Sequence, residues 1–350
     1  MSWTENVRKV VPYVPGEQPK LDKIIKLNTN ENPYGPSPKV IEVLKNFDTD
    51  VLRKYPDPNA SDLVNAIADY HNVTSDRVFV GVGSDDVLSM AFLTYFNSDL
   101  PVLFPDITYS FYDVWANLYR IPFETKKLRD DLTIDASDYD MPCGGIIIPN
   151  PNAPTGVAEN VDFFENIIKK HPECVVIIDE AYVDFGAQTC LPLTDKYDNI
   201  LVVRTYSKSR SMAGSRIGYA IGSPRLIKYL LDCKFSFNSY TMDSITIASG
   251  VASIKDEEYF ADKVAKVIAT RERVKPQLRE VGFAFAASKS HFIFATHKTV
   301  DANIIFEKLK ASNIFVRHFK NPSRIDNYLR ISIGTEGEMD ELIKVLKEIL

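Results

Sequence analysis

The chain has 350 residues, of which 45% are hydrophobic and 25% are charged, with no excess of glycine or proline. This composition is typical of a folded globular protein, and the length allows one large or two ordinary domains, of which we expect two. The formal net charge of −6 argues against a nucleic-acid or anionic-membrane partner, because binding to either needs a basic surface.

Three features of the sequence bear on metal binding and on the compartment. The four cysteines are not closely paired, so we expect neither a disulfide framework nor a CxxC metal site. The five histidines are scattered too, and the sequence predicts no metal enzyme. The N-terminus lacks an apolar leader, and no run of about eighteen apolar residues could span a membrane. The sequence therefore predicts a cytoplasmic protein.

The predicted elements fall into three parts, of which the first two are an arm and a large domain. Residues 1–40 are rich in Pro, Asn and Lys and predict an irregular arm. From 41 to 255, helical patterns alternate with apolar runs at 77–80, 101–104, 145–148, 175–178 and 200–203. Uninterrupted apolar strands separated by helices predict an α/β domain with a mostly parallel sheet covered by helices.

The third part, residues 256–350, predicts a smaller α+β domain. An amphipathic pattern from Asp256 to Val281 indicates a bridging helix that Pro276 should kink or interrupt. A strand (HFIFAT), a helix (ANIIFEKLK) and a strand (YLRISI) follow. Thr335 and Glu338 can open the last helix as a capping box.

Polar residues follow several of the apolar runs, at the strand ends where parallel sheets bind ligands. Asp179 and Tyr182 follow 175–178, and Lys208 follows 200–203 within the segment RTYSK. The segment GVGSDD follows 77–80, and PNPNAPTG follows 145–148. Each signal is weak alone, because an isolated lysine is usually solvated and an aspartate after a strand usually caps a turn. Their joint order along one sheet indicates a ligand site.

The order of these motifs resembles a known family. NPNAPTG at 150–156, DEAY at 179–182, SK at 207–208 and GSRIG at 214–218 resemble class I and II aminotransferases, and the resemblance spans nearly the whole chain. It implies the fold type I architecture of pyridoxal-phosphate (PLP) transferases, pyridoxal 5'-phosphate as cofactor and a homodimer with shared active sites.

The resemblance also implies catalytic roles. Lys208 would carry the cofactor aldehyde covalently and move the substrate proton. Asp179 would keep the pyridine nitrogen protonated, which the cofactor needs as an electron sink. Tyr182 would donate its hydroxyl to the cofactor phenolate oxygen.

Further residues match the family's cofactor contacts. A helix N-terminus and an arginine suit a phosphate, because they offer oriented N–H groups and a bidentate cation. The expected phosphate cup consists of Ser84, Asp85, Thr205, Ser207 and Arg216. Tyr109 matches the aromatic residue that stacks on the ring, and Tyr55 matches a tyrosine contributed to the neighbouring subunit's phosphate.

Within the family, the chain resembles the histidinol-phosphate aminotransferases through PYVPG, LNTNENPYGP, RKYPDP, IFVR and LRISIGT. That resemblance implies Arg317 and Arg330 as the pair that faces the substrate phosphate and the carboxylates of the amino donor glutamate. Tyr13, reaching across the dimer, and Asn30 are further expected substrate contacts. The expected substrates are an anionic amine, L-histidinol phosphate, and 2-oxoglutarate.

One departure and several alternatives remain open. Ala153 stands where relatives usually carry an asparagine that holds the phenolate oxygen, so either Asn152 or Tyr182 alone would take that role. An aromatic amino-acid aminotransferase or a decarboxylase of a phosphorylated amino acid would keep the same Asp179 and Lys208. A non-catalytic ligand-sensing domain of this fold is a further alternative, although the charge argues against a DNA-binding regulator.

Overall fold

The secondary structure is taken from a computed structural model that describes residues 2–20 and 23–350. In these ranges the strands, in chain order, are β1 (Ile25–Lys26), β2 (Val78–Val82), β3 (Val102–Pro105), β4 (Phe123–Lys126), β5 (Gly145–Pro149), β6 (Val176–Asp179), β7 (Ile200–Thr205), β8 (Ile217–Gly222), β9 (Phe283–Phe285), β10 (Phe292–His297), β11 (Ile314–Phe315), β12 (Arg317–His318) and β13 (Leu329–Ser332). The helices are α1 (Pro38–Lys45), α2 (Ser61–His71), α3 (Ser84–Tyr95), α4 (Tyr112–Tyr119), α5 (Val161–Lys170), α6 (Pro224–Phe237), α7 (Ser244–Ile254), α8 (Glu257–Glu280), α9 (Ala302–Ala311) and α10 (Glu336–Ile349). No helix among these residues is both long and apolar enough to cross a membrane.

The large part of the molecule is built on a seven-stranded sheet in the order β2-β8-β7-β6-β5-β3-β4. Strands β3 to β7 run parallel, and β8 is antiparallel to both of its neighbours, β7 and β2. Ile147 packs into the core on one face, while Ile146 and Ile148 pack into the core on the other. Because helices cover both faces, every position of such a strand is apolar. The predicted α/β class with a mostly parallel sheet is confirmed.

The C-terminal part has an antiparallel sheet in the order β12-β13-β10-β9, packed with α8, α9 and α10 around one core. The capping box of Thr335 and Glu338 at the start of α10 is present. Helix α8 continues through Pro276, which we expected to kink or interrupt it. Val274 and Leu278, on either side of the proline, are fully buried, and this packing stabilises the helix across the lost backbone hydrogen bond.

The N-terminal segment is more ordered than the sequence indicates. Strand β1 pairs in parallel with β11, and Leu27 and Asn30 are almost fully buried. A strand of two residues is too short to show a period, so the pattern could not predict it. Helix α1 begins at Pro38, inside the predicted arm. The segment around residues 25–30 therefore forms a separate two-stranded sheet with β11, and Asn30 contacts Tyr182 beyond the end of β6.

Candidate active site

A cavity of about 160 Å³ lies between the carboxyl end of the large sheet, the N-terminal segment and the C-terminal part of the molecule. Of the residues singled out from the sequence, those in its wall are Tyr13, Asn30, Tyr109, Tyr182, Lys208, Arg317 and Arg330. Residues more than 300 positions apart in the chain therefore meet at one site, as expected where parallel strands end together.

Lys208 follows β7 and presents its amine to this cavity. The Nζ atom lies 5.7 Å from the centroid of the Tyr182 ring. The backbone carbonyl of Lys208 accepts a hydrogen bond of 2.9 Å from Asn32 Nδ2, which holds the turn after β7. Among the described residues, Nζ has neither a hydrogen bond nor an ion pair, so the amine is free to react with a ligand.

Asp179 ends β6 and is a buried carboxylate with neutral partners. The Tyr112 hydroxyl donates to Oδ2 at 2.9 Å, and the Ala181 N–H donates to Oδ1 at 3.1 Å. Burial raises the pKa of Asp179 to about 6. No lysine, arginine or histidine of the described residues forms an ion pair with it. The site therefore suits a ligand that brings a protonated nitrogen to this carboxylate.

Tyr112 was missed by the sequence analysis, which selected Tyr109 from the segment TYSFY. The Tyr112 side chain is completely buried, and its contact with Asp179 joins residues 67 positions apart. The sequence signal for Tyr112 was its position, as an aromatic residue at the start of a helix that follows a strand of the parallel sheet. Nothing in the local pattern distinguishes it from an ordinary core tyrosine.

The pair of Glu180 and Arg204 was also missed. Arg204 Nε and Nη2 donate to Glu180 Oε2 at 3.0 and 2.8 Å, and the Thr189 hydroxyl donates to the same oxygen at 2.8 Å. Both charged groups are buried, and Arg204 lies in β7, the strand that precedes Lys208. A charged residue inside the apolar β7 segment was the available signal, because buried charges are almost always paired.

Tyr182 is oriented by Asn30. Asn30 Nδ2 donates to the Tyr182 hydroxyl oxygen at 3.1 Å, which leaves the phenolic proton available for a ligand. Asn30 adopts a left-handed backbone conformation with φ 57°, and the Ser332 hydroxyl donates to its Oδ1 at 3.0 Å. A hydrogen bond of 2.8 Å also joins its carbonyl to His291 Nε2. Asn30 thus links the N-terminal segment, the large domain and β13.

Asn152 has no free amide hydrogen for a ligand. Its Nδ2 donates to the Ile107 carbonyl at 2.9 Å and to Thr155 Oγ1 at 3.1 Å, while its Oδ1 accepts from Thr108. Ala153, and not Asn152, lies in the cavity wall. Asn152 therefore braces a loop, and of the two alternatives for the phenolate oxygen the geometry favours Tyr182 alone.

The aromatic side of the cavity is formed by Tyr109 and Tyr13. The Tyr109 hydroxyl donates to Asp85 Oδ1 at 2.7 Å, and burial holds the pKa of Tyr109 well above its usual range. Tyr13 stacks on Phe111 with ring centroids 4.1 Å apart. Tyr13 lines the cavity that its own chain forms, whereas the resemblance had implied a reach across a dimer.

Ser84, Asp85 and Arg216, which we expect to contact a phosphate, lie together at the start of α3. Arg216 Nη2 lies 3.3 Å from Asp85 Oδ2, at the helix N-terminus that begins with Ser84. Gly83 precedes the helix with φ 88°, and a Cβ there would lie 2.5 Å from Arg216 Nη2. Glycine is therefore required for the guanidinium to approach the N-terminal N–H groups.

Thr205 and Ser207, which we also expect to contact a phosphate, differ in their protein contacts. Thr205 Oγ1 donates to the Ile217 carbonyl at 3.2 Å and accepts from the Ser207 N–H at 3.0 Å. It therefore stiffens the turn before Lys208. Within the described ranges the hydroxyl groups of Ser84 and Ser207 have no protein partner and can donate to an anion.

Arg317 and Arg330 form a second cationic site. They are direct partners on the antiparallel strands β12 and β13, so their side chains lie on the same face. Both guanidinium groups lie 5.6 Å from the Phe319 ring, and Arg330 Nη2 donates to the Asn28 carbonyl at 3.0 Å. Burial lowers the pKa of Arg330. Neither arginine has a carboxylate partner in the part of the chain that the structure describes, so the pair suits a dianion.

Tyr55 lies apart from the cavity wall. Its side chain is 83% exposed, and its ring lies 4.7 Å from that of Tyr240. Tyr55 is therefore not part of the cavity that the single chain forms.

The chain is similar to known proteins in sequence and in fold. The model of the family "Aminotransferase class I and II" matches residues 22–346. The chain is 49% identical to a histidinol-phosphate aminotransferase of Lactococcus lactis subsp. cremoris, covering 100% of this chain and 98% of the relative. It is 51% identical to a Clostridium botulinum protein of the same name, covering 99% and 98%. A histidinol-phosphate aminotransferase of Sinorhizobium meliloti, solved in complex with pyridoxal-5'-phosphate, shares the fold with a TM-score of 0.84 at 23% identity, covering 94% and 92%. The chain belongs to the aminotransferase class I and II family.

Proposed function

We propose that the chain is a pyridoxal-phosphate-dependent histidinol-phosphate aminotransferase of histidine biosynthesis. It would convert L-histidinol phosphate and 2-oxoglutarate into imidazole acetol phosphate and L-glutamate. Relatives at 49% and 51% identity over the whole chain carry that name. The observation that carries the proposal is that two arginines without carboxylate partners share one cavity with the free amine of Lys208.

The residues present fit pyridoxal phosphate. Asp179 is a buried carboxylate without a counter-ion among the described residues, and a protonated ring nitrogen would supply one. The cradle between Gly83 and Arg216, which a Cβ would fill, suits the phosphate, with Ser84 and Ser207 as further donors. When bound, the cofactor supplies an electron sink for the bond that is broken at the substrate carbon.

Lys208 is the residue that would move the proton. Its Nζ would hold the cofactor covalently in the resting enzyme and would take the proton from the carbon that carries the substrate amine. The Tyr182 hydroxyl, held by Asn30, would donate to the phenolate oxygen of the cofactor. The turn around Lys208, held by Thr205 and Asn32, would keep Nζ facing the cavity.

Arg317 and Arg330 would select the substrates. A guanidinium group binds a phosphate and a carboxylate with the same bidentate geometry, so one pair can receive histidinol phosphate and 2-oxoglutarate in turn. Because both anions use the same groups, the first product must leave before the second substrate binds. We therefore expect ping-pong kinetics.

A homodimer would complete the site, as the family resemblance implies. Exposed apolar side chains cluster where Tyr55 meets Tyr240, with Leu52 and Phe237 exposed nearby in the sequence, and such a patch is typical of an interface. Tyr55 would then reach the cofactor phosphate of the neighbouring subunit. The free cysteines fit a reducing cytoplasm, where this biosynthetic activity would take place.

The test is a visible absorption spectrum of the cofactor-loaded protein before and after addition of single amines. We expect L-histidinol phosphate to convert the bound cofactor fastest, and 2-oxoglutarate to restore it. Lys208→Ala should lower turnover by at least about a hundredfold, whereas Lys344→Ala, at an exposed lysine of α10, should not change it. Faster conversion by phenylalanine would indicate an aromatic aminotransferase, and release of carbon dioxide from threonine phosphate would indicate a decarboxylase.

A further inference from the structure

A second group of reactive side chains lies at the opposite end of the large sheet. Cys143 stands just before β5, and Cys174 stands just before β6. Because β5 and β6 are parallel neighbours, their amino ends place the two thiols side by side, with 3.6 Å between the sulfur atoms. His171 follows α5 directly and joins this pair. None of these residues belongs to the cavity around Lys208.

Two of the three distances in this group match those of a tetrahedral metal site. Cys143 Sγ lies 3.7 Å from His171 Nδ1, and all three potential ligand atoms lie within 4.8 Å of one another. A zinc ion with metal–sulfur bonds of about 2.3 Å and a metal–nitrogen bond of about 2.0 Å would place two sulfurs about 3.8 Å apart and a sulfur and a nitrogen about 3.5 Å apart. The distances from Cys143 Sγ to Cys174 Sγ and to His171 Nδ1 agree with this geometry to within about 0.2 Å.

The loop that carries His171 and Cys174 is fixed in place. Asn199 Nδ2 donates to the carbonyls of His171 and Cys174 at 2.9 and 3.0 Å, and the His171 N–H donates to the Ile168 carbonyl. The Nε2 atom of His171 is buried without a hydrogen-bond partner in the described ranges. The polar contact of this ring is therefore its Nδ1 edge, which faces the thiol of Cys143.

We propose that Cys143, His171 and Cys174 bind a thiophilic divalent cation of the zinc type. Two sulfur ligands and one imidazole favour such an ion over magnesium or calcium, which prefer oxygen. The nearby carboxylate of Asp140 is held by Lys170 at 2.6 Å and does not compete as a ligand. The group borders a groove of about 490 Å³, so water would occupy the fourth coordination position.

The expected effect of this cation is on stability and not on catalysis. It would tie the amino ends of β5 and β6 to the end of α5, on the side of the sheet away from Lys208. A ligand that binds only the folded state stabilises it in proportion to its affinity and concentration. Zinc should therefore raise the unfolding temperature and leave turnover unchanged.

The test uses the full-length, cofactor-loaded protein, kept reduced and freed of metal by a chelator. Titration with cobalt(II) should give the intense visible absorption of tetrahedral thiolate coordination, with one cobalt per chain, and zinc should displace it. Zinc should also raise the unfolding temperature, whereas magnesium should not. Cys143→Ser and Cys174→Ser should each weaken cobalt binding at least tenfold, and His171→Gln should weaken it as well. Cys233→Ser, at a half-buried cysteine of α6, is the matched control and should bind like the wild type.

Three results would overturn the proposal. The first is no thiolate-type cobalt absorption in the reduced wild-type protein. The second is cobalt binding that survives both serine substitutions, which would place the ion elsewhere. The third is a disulfide between Cys143 and Cys174, found by thiol counting and mass measurement, together with no cobalt uptake after its reduction. That last result would make the pair a redox element and not a metal site.

Discussion

Two neighbouring carboxylates at the end of β6, those of Asp179 and Glu180, lie in different surroundings. Glu180 lies in the core, where Arg204 and Thr189 donate to it. Asp179 lies at the carboxyl end of β6, where the neutral groups of Tyr112 and Ala181 donate to it. Both side chains are buried, and burial raises the pKa of both.

The difference lies in what compensates the buried charge. A buried carboxylate is costly unless a cation and hydrogen bonds replace the lost water. The protein supplies that cation to Glu180 through Arg204, and it supplies none to Asp179 from the described residues. A buried charge left without a protein counter-ion indicates a ligand site, whereas a paired one indicates a structural role. Substitutions at the two positions should therefore have opposite effects.

The largest expected effect is on turnover. Asp179→Asn removes the charge that would hold a protonated cofactor nitrogen, and we expect turnover to fall by about a thousandfold. Glu180→Gln keeps the cavity residues, so the protein that remains folded should retain most of its turnover. Both variants are assayed with L-histidinol phosphate after their folded fraction has been measured. Turnover by Asp179→Asn within tenfold of the wild type would contradict the assignment.

The next effect is on the free energy of unfolding, which Glu180→Gln should lower more than Asp179→Asn. Glu180→Gln leaves the buried Arg204 guanidinium with only the longer ion pair to Asp184, at 3.5 Å, which should lower the free energy of unfolding by about 3 kcal/mol. Urea unfolding of the cofactor-free proteins measures this loss. Glu341→Gln, at an exposed glutamate paired with Lys344, is the control and should leave the unfolding curve unchanged. If Asp179→Asn proved the more destabilising of the two substitutions, the comparison would fail.

A third effect separates the two carboxylates by pH. The pKa of Asp179 is about 6 in the folded chain against an ordinary value of 3.8, so the folded chain holds this proton more tightly. The raised pKa means that ionisation of Asp179 costs stability as pH rises through this interval. Asp179→Asn removes the cost, while Glu180 is present in both proteins and cancels.

The expected result is a difference in the free energy of unfolding between the two cofactor-free proteins that grows with pH. Relative to the wild type, Asp179→Asn should gain about 3 kcal/mol in its free energy of unfolding between about pH 4 and pH 7. Urea unfolding at a series of pH values measures the difference. A difference that stays flat over this range would mean that Asp179 is not a buried carboxylate without a counter-ion.

The sequence predicted the large sheet well where strands are buried on both faces. The apolar run at 145–148 lies in β5, and the run at 200–203 lies in β7. Strand β8 was not predicted, because its sequence IGYAIG is broken by two glycines and no continuous apolar run marks it. The two-residue strand β1 was missed since its pairing with β11 depends on a contact between distant segments.

The site was predictable where residues follow strands, and less so where they meet across the chain. Asp179 and Lys208 were placed correctly at the strand ends, because parallel strands end at one edge. The partner of Asp179, Tyr112, is 67 positions away, and the pairing of Cys143 with His171 spans 28 positions. No spacing rule reports such contacts, since only the order of the strands in the sheet creates them.

The smallest expected effect concerns the arginines, which repeat the contrast between paired and unpaired charges. Arg317 has no carboxylate partner in the described ranges, whereas Arg324, seven positions along the chain, pairs with Asp106 at 2.6 Å. Arg317→Gln should lower kcat/KM by about 10- to 100-fold for histidinol phosphate and for 2-oxoglutarate alike, since a hydrogen bond to a charged group contributes about 1.5–3 kcal/mol. Arg324→Gln should leave both values unchanged. Steady-state kinetics with each substrate provides the measurement. A loss confined to one substrate would show that the two anions do not share this guanidinium group.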